Sequence, residues 1–246
     1  MLVILSMLYG NMSMSEREEI SHETLGKEHP SGGSLCTGRS AVRRPFPEPE
    51  PSVGDKIVKL NTNENPYPPA PGVKKVLEEL DTDRLRKYPD PAATVLVKEL
   101  AAYYGLGEDQ VFVGVGSDDV LAMSFLTFFN SDKPVLFPDV TYSFYKVWAD
   151  LFKVPFETPA LKEDFTIDTK DYAKENGGVI FPNPNAPTGV YMPLDQIEEI
   201  LIANQDVVVI VDEAYVDFAG PSALELLEKY ENLLVVQTFS KSHSMA

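Results

Sequence analysis

Apolar runs rich in β-branched residues alternate with longer segments of helical period along most of the chain. This alternation favours a parallel β-sheet flanked by helices. The run at 207–211 is apolar at every position, as a strand covered on both faces must be. We therefore predict a doubly wound α/β fold with helices on both faces of a mostly parallel sheet. The predicted strands lie at 110–115, 135–137, 153–156, 179–181, 207–211 and 233–238.

Two segments show helical periodicity most clearly. Apolar side chains recur every three or four positions in 92–104 and again in 195–203. Pro193 stands directly before the second segment and is a typical start signal. Both segments are predicted to be helices that pack on the sheet.

The beginning of the chain differs in composition from the rest. Residues 1–9 are apolar, but they have no basic start or small-residue cleavage site and are far too short to span a bilayer. From 11 to 50 the chain is rich in Ser, Gly, Glu and Pro, a composition that disfavours a packed core. We predict a disordered extension over 1–50 and a folded domain over 51–246.

Composition narrows the class of partner. The chain has 246 residues and a net charge of -17 at pH 7, which disfavours binding to nucleic-acid phosphates and to anionic membranes. Cys36 is the only cysteine and the three histidines are scattered, so neither a disulfide framework nor a metal site is expected. We predict a cytoplasmic protein with no metal, nucleic-acid or membrane partner.

Four polar segments directly follow predicted strands, where ligands bind in open α/β sheets. A glycine turn at 114–119 could bring helix N–H groups to a phosphate, and the turn at 181–189 could present an asparagine amide. Asp212 could hold a protonated pyridine nitrogen, with Tyr215 donating a hydrogen bond nearby, and a desolvated Lys241 could form a Schiff base. Taken singly, each segment fits an ordinary turn, helix cap or solvent-facing strand end at least as well.

Nucleotide-binding alternatives fit less well. Asp119 stands where a dinucleotide fingerprint needs its third glycine. The Gly-x-x-x-x-Gly-Lys-Ser/Thr loop that a nucleotide hydrolase needs is absent from the sequence. A hydrolase is therefore supported by Asp212 and Glu213 alone.

In their order along the chain, these segments resemble the pyridoxal-phosphate aminotransferases of the aspartate-aminotransferase type, most closely the histidinol-phosphate aminotransferases. The resemblance runs from about residue 57 to residue 246. It also includes Asn61-Thr62-Asn63-Glu64-Asn65-Pro66-Tyr67, Arg86-Lys87-Tyr88-Pro89-Asp90-Pro91 and Pro138-Asp139-Val140-Thr141-Tyr142. Each motif is weak alone, but the set in this order is specific.

The resemblance implies a role for each site residue. Lys241 would hold pyridoxal phosphate as a Schiff base and shuttle a proton, while Asp212 would keep the pyridine nitrogen protonated. Tyr215 and Asn185 would bond the phenolic oxygen of the ring, and Tyr142 would stack on the ring. The phosphate would be held by the turn Gly116-Ser117-Asp118, by Ser240, and by Tyr67 of the partner subunit in a homodimer.

The implied reaction is amino transfer from histidinol phosphate to the 2-oxo acid 2-oxoglutarate, in histidine biosynthesis. Aminotransferases of aromatic amino acids and threonine-phosphate decarboxylases share the cofactor motifs and stay open as alternatives. Two positions depart from the family pattern: Ala186 stands where asparagine is usual, and Pro68 where glycine is usual.

The resemblance ends before the family pattern does. Family members continue with a glycine, an arginine that pairs with the cofactor phosphate, and a small C-terminal domain that binds the substrate carboxylate. Their next segment also forms a strand inside the sheet. We therefore expect an incomplete large domain with an N-terminal arm, in which two strands lack a partner between them. An inactive fragment with a binding or interaction role is the alternative from another class.

Overall fold

The computed structural model describes residues 2–5 and 59–246. Residues Met1–Leu8 and Glu64–Ala246 belong to one compact unit, and Tyr9–Asn63 are assigned to a second, of which only 59–63 are described. No helix among the described residues is long and apolar enough to cross a membrane.

The described residues of the first unit form parallel strands and α-helices. The strands are β1 (Leu2–Leu5), β2 (Val111–Gly114), β3 (Val135–Leu136), β4 (Phe156–Glu157), β5 (Gly178–Pro182), β6 (Val209–Asp212) and β7 (Leu233–Val236). The α-helices are α1 (Pro71–Glu78), α2 (Thr94–Tyr104), α3 (Gly116–Phe128), α4 (Phe144–Phe152) and α5 (Leu194–Ala203). The helices predicted at 92–104 and 195–203 are thus confirmed as α2 and α5.

The described strands form one sheet in the order β2-β1-β7-β6-β5-β3-β4. Every pair of neighbours is parallel. The segments that follow β2, β6 and β7 therefore meet at the same edge of the sheet. The predicted parallel α/β sheet is confirmed. Most of the predicted site residues lie at the carboxyl ends of its strands.

Both faces of the sheet are covered, which explains why the central strands β5, β6 and β7 carry apolar residues on both faces. Successive residues of β6 alternate between the two cores: Val209 and Val211 belong to one, and Ile210 to the other. The first core includes residues of α2 and α5, and the second includes residues of α3 and α4. The site thus stands on a sheet that is packed on both sides.

The strand predicted at 153–156 is misplaced. Helix α4 continues to Phe152, and Lys153 ends it in a left-handed conformation with φ of 62°. Val154 then donates its backbone N–H to the carbonyl of Ala149 and is buried in the core. Strand β4 begins only at Phe156, because the apolar residues before it belong to the helix end. The other predicted strands overlap β2, β3, β5, β6 and β7.

Strand β1 differs most from the prediction. Residues 1–50 were expected to form a disordered extension, yet Leu2–Leu5 pair with Val111–Gly114 of β2 and, at Leu2 and Val3, with β7. The gap expected between two strands is therefore filled, and the expectation of unpaired neighbours is wrong for β2 and β7. A short apolar segment carries no local signal of a partner so distant in sequence. Residues 6–50 lie outside the described part of the chain.

Gly178 begins β5 beside a buried ring, and its φ of 148° disfavours other residues. A Cβ atom there would lie 2.3 Å from Cε1 of Phe129, which is fully buried. We expect Gly178→Ala to lower the free energy of unfolding by about 2 to 3 kcal/mol in urea denaturation. Gly72→Ala, with no atom within 4 Å of its Cβ, is the control and should be neutral or slightly stabilising. Equal losses in both variants would contradict this account.

Candidate active site

A cavity of about 350 Å³ opens at the carboxyl ends of β2, β6 and β7. Most of the residues predicted for the site lie on its wall. The predicted residues on the wall are Gly116, Ser117, Asp118, Tyr142, Asp212, Tyr215, Ser240 and Lys241. Residues from distant parts of the sequence therefore meet in one place.

Asp212 is the last residue of β6 and is only 5% exposed. Its Oδ2 accepts a hydrogen bond of 2.8 Å from the hydroxyl of Tyr145, and its Oδ1 accepts one of 3.2 Å from the N–H of Ala214. Burial raises the pKa of Asp212 to about 6; the two hydrogen bonds oppose that rise, and Asp118 adds to it. At neutral pH the cavity therefore holds a buried carboxylate that a cation would stabilise.

Lys241 follows β7 and is held in place from the start of the folded domain. The side chain of Asn65 donates hydrogen bonds of 3.1 Å to the carbonyl oxygens of Lys241 and Ser242. Nζ of Lys241 lies 5.7 Å from the centre of the Tyr215 ring. The Asn-rich motif, identified only by resemblance, thus fixes the backbone that carries the lysine. Asn65 had been given no such role.

The turn after β2 has the features of an anion site. Helix α3 begins at Gly116, whose φ of 86° favours glycine. The N-cap residue is Val115, whose side chain makes no cap hydrogen bond. Across the cavity, the hydroxyl of Thr238 donates to that of Ser240 at 3.0 Å. First-turn N–H groups and these hydroxyls could together hold a phosphate.

Tyr142 supplies an aromatic wall. Its hydroxyl donates a 2.8 Å hydrogen bond to Oδ1 of Asp118, and its ring stacks on Phe144 with centroids 5.6 Å apart. Burial, followed by the charge of Asp118, raises the pKa of Tyr142 well above its ordinary value. The phenol therefore stays a donor, and its ring is held beside the cavity.

Asn185 is not on the cavity wall in the structure. Its amide donates to the carbonyl of Val140 and to the hydroxyl of Thr188, and its oxygen accepts from Thr141. Ala186 lines the cavity at this point instead. In the structure this side chain braces the turn, and its contact with a ring oxygen stays a prediction. A turn sequence does not reveal which of two neighbouring residues faces a ligand.

Tyr67 lies away from the cavity and is 75% exposed. Its N–H donates a 3.1 Å hydrogen bond to Oδ1 of Asn65. The segment that holds Lys241 thus also orients Tyr67. A role of Tyr67 in a partner subunit stays a prediction.

Glu213 is a buried acid that sequence analysis gave no place in the site. It accepts hydrogen bonds from the hydroxyl of Ser222, the N–H of Ala223 and Nε2 of Gln237, at 2.6, 2.6 and 2.8 Å. It therefore ties the loop after β6 to the end of β7. Glu213 does not line the cavity that Asp212 lines, and no metal-binding group of three His, Cys, Asp or Glu occurs in the described part of the chain. Asp212 and Glu213 therefore do not face the same cavity.

The buried acid Glu213 should make the free energy of unfolding depend on pH. Burial raises the pKa of Glu213 from 4.5 to about 7 against the opposing effect of its hydrogen bonds. A raised folded-state pKa contributes stability that is present below pH 4.5 and is lost as pH rises through 7. We expect the free energy of unfolding of Glu213→Gln to change less between pH 4.5 and 7 than that of the wild type. The exposed Glu231→Gln is the matched control, and parallel profiles for all three proteins would contradict the expectation.

Comparison with known proteins identifies a matching family and its relatives. The family model of aminotransferase class I and II matches residues 55–246. Histidinol-phosphate aminotransferase of Lactococcus lactis subsp. cremoris MG1363 is 56% identical over 190 residues, which are 77% of this chain and 53% of that protein. Histidinol-phosphate aminotransferase 1 of Hydrogenovibrio crunogenus is 54% identical over 200 residues, 81% of this chain and 56% of that protein. The chain spans about half the length of the curated relatives it matches.

Solved structures share the fold. A putative histidinol-phosphate aminotransferase from Erwinia carotovora atroseptica matches with a TM-score of 0.69 at 24% identity, over 75% of this chain and 57% of that one. The histidinol-phosphate aminotransferase of Sinorhizobium meliloti in complex with pyridoxal-5'-phosphate matches with a TM-score of 0.68 at 24% identity, over 75% and 52%. The expected aspartate-aminotransferase-like large domain is thereby confirmed as the fold.

Proposed function

The chain belongs to the class I and II aminotransferase family, and from this premise we propose that its cavity binds pyridoxal phosphate and serves amino transfer. One observation carries the proposal: a lysine amine, a buried carboxylate, an aromatic wall and a helix-start turn line the same cavity. Each matches one chemical part of the cofactor, namely its aldehyde, its ring nitrogen, its ring face and its phosphate.

Asp212 provides the test of fit. Its hydrogen bonds come from neutral donors, a phenol and a backbone N–H, although burial makes its negative charge costly. A protonated pyridine nitrogen would supply the opposite charge that such a carboxylate favours. The residues present therefore fit the cofactor at the position where a mismatch would be most costly.

Three residues of the cavity would have separate roles around the cofactor ring. When bound, pyridoxal phosphate supplies an electron sink for the substrate. Lys241 would hold the cofactor covalently and move the proton at the substrate α-carbon. Asp212 would keep the ring nitrogen protonated, and Tyr215 would donate to the ring oxygen.

The phosphate would lie at the start of α3. Gly116 and Ser117 would hold it there with Ser240, and Asp118 would offer its backbone N–H, since its carboxylate already accepts from Tyr142. The ring of Tyr142 would cover the face of the cofactor.

The proposed substrates are histidinol phosphate as amino donor and 2-oxoglutarate as acceptor. This choice is supported by relatives at 56% and 54% identity that are named histidinol-phosphate aminotransferases. Their pathway would be histidine biosynthesis. We place the protein in the cytoplasm as a homodimer, with Tyr67 of the partner subunit reaching the cofactor phosphate.

The proposal is tested on the purified chain loaded with pyridoxal phosphate. Histidinol phosphate is expected to convert the cofactor from its aldehyde to its amine form, followed by absorbance, and 2-oxoglutarate should reverse the change. Faster conversion by phenylalanine would replace the substrate assignment with an aromatic aminotransferase. Release of carbon dioxide from threonine phosphate would favour the decarboxylase alternative. Cofactor binding without conversion by any of these would favour the binding-fragment alternative.

A further inference from the structure

Tyr145 lies directly behind the cavity wall. It belongs to α4, has no exposed surface, and does not itself line the cavity. Its hydroxyl donates a 2.8 Å hydrogen bond to Oδ2 of Asp212, 67 positions further along the chain. No motif in the sequence marks this tyrosine, and the proposed chemistry gives it no role.

An aromatic cluster holds the Tyr145 ring. The ring contacts Phe125, Phe137, Tyr142 and Trp148, with centroid separations between 5.7 and 6.5 Å. Such close packing leaves a fully buried ring little freedom to turn. The hydroxyl is therefore fixed relative to the sheet and presents a donor to Asp212 from a constant direction.

We infer that Tyr145 is a positioning residue, which orients the Asp212 carboxylate toward the cavity and keeps it in the anionic form that a cationic ring requires. A hydrogen bond to a carboxylate is stronger than one between neutral groups and favours the ionised state. The cofactor part of this inference rests on the proposed function, but the effect on Asp212 can be measured without any cofactor.

Charged and titratable groups from several elements face Asp212. Asp118 in α3 raises the pKa of Asp212, although less than burial does, while Tyr145 lowers it. Burial and then the charge of Asp212 raise the pKa of Tyr145 well above its ordinary value, so its phenol stays a donor. Lys241 lines the same cavity, and Glu213 is next in sequence. Removing the phenol would therefore raise the pKa of Asp212 further, because less would oppose the effects of burial and Asp118.

The test compares two substitutions that each remove one buried hydroxyl. Tyr145→Phe removes the donor to Asp212. Tyr172→Phe is the matched control, because the hydroxyl of Tyr172 is buried without a hydrogen-bond partner in the described part of the structure. Unfolding equilibrium constants of the cofactor-free proteins are measured in urea at pH 4 and pH 8.

The sign of the expected effect follows from linkage. The folded-state pKa of Asp212 is raised from 3.8 to about 6, so its contribution to stability is present below pH 3.8 and lost as pH rises through 6. Without the phenol the folded-state pKa of Asp212 is higher, because a hydrogen bond that lowers it is gone. The loss of stability therefore continues to higher pH and becomes larger. The ratio of the unfolding constants of Tyr145→Phe and wild type should therefore be about tenfold larger at pH 8 than at pH 4. The ratio for Tyr172→Phe should be the same at both values.

A second background isolates the contact. In Asp212→Asn, adding Tyr145→Phe should no longer produce a pH-dependent ratio. In the Asp212 background, Tyr145→Phe should also weaken pyridoxal-phosphate binding at pH 8, measured by absorbance titration, because the carboxylate is no longer oriented toward the cavity. Equal pH dependence of Tyr145→Phe and Tyr172→Phe, or a pH-dependent effect that persists in Asp212→Asn, would overturn the inference. Failure of the wild type to bind pyridoxal phosphate would instead refute the proposed function and leave the cofactor-free result standing.

Discussion

Replacing Lys241 with alanine is expected to abolish covalent attachment of pyridoxal phosphate to the site. Among the described residues of the cavity wall, Lys241 alone carries an amine, and Asn65 fixes its backbone. An amine on the wall of a cavity can condense with the aldehyde of a molecule bound there and form a Schiff base. The purified chain would be incubated with pyridoxal phosphate, reduced with borohydride and digested, and the modified peptide located by mass spectrometry.

The control for this experiment is Lys98→Ala, which removes an exposed lysine of α2. Wild type and Lys98→Ala should carry the modification at Lys241, and Lys241→Ala should fall to the scattered background of surface lysines. Modification spread evenly over surface lysines in the wild type would show that the cavity does not form a working site. Strong modification of one other lysine in Lys241→Ala would show that the cofactor attaches to that lysine instead.

The sheet and the position of the site follow from local sequence. Strands that are apolar at every position must be covered on both faces, and parallel strands must bring their carboxyl ends to one edge. Asp212 ends one such strand and Lys241 follows another, and both line one cavity. Which chemistry they perform could not be read from either segment alone, because each also fits an ordinary strand end.

The contacts that tune the site could not be predicted in the same way. The hydrogen bonds from Tyr145 to Asp212 and from Asn65 to Lys241 join residues 67 and 176 positions apart. Neither donor belongs to a local pattern that names its acceptor. The hydrogen bond from the Asn185 amide to the carbonyl of Val140 was not predicted for the same reason, since only tertiary packing brings the two together. Local sequence specifies strand ends, whereas the side-chain partners around them depend on the assembled fold.

Asp212→Asn is expected to weaken binding of pyridoxal phosphate about a hundredfold at pH 8, measured by absorbance titration. The asparagine keeps the shape of Asp212 and can accept from Ala214 while donating to the oxygen of Tyr145. It cannot supply the negative charge that stabilises a protonated ring nitrogen. A loss of about 3 kcal/mol is the size reported for leaving a buried charge without its partner, and it corresponds to roughly a hundredfold in affinity.

The same substitution should make the cofactor-free protein more stable, and this opposite sign separates function from folding. The pKa of Asp212 is raised to about 6 by burial, so its ionised form at pH 8 costs stability that the neutral amide does not. We expect the free energy of unfolding in urea to rise by about 1 to 3 kcal/mol at pH 8, and the gain to vanish near pH 4, where Asp212 is protonated.

The control is Asp206→Asn, which makes the same change in net charge at an exposed residue before the start of β6. A variant of Asp212 that was less stable at pH 8, or that bound the cofactor as well as the wild type, would show that the buried carboxylate serves the fold. A charge that is kept at the cavity although it destabilises the empty protein is explained by a cationic ligand.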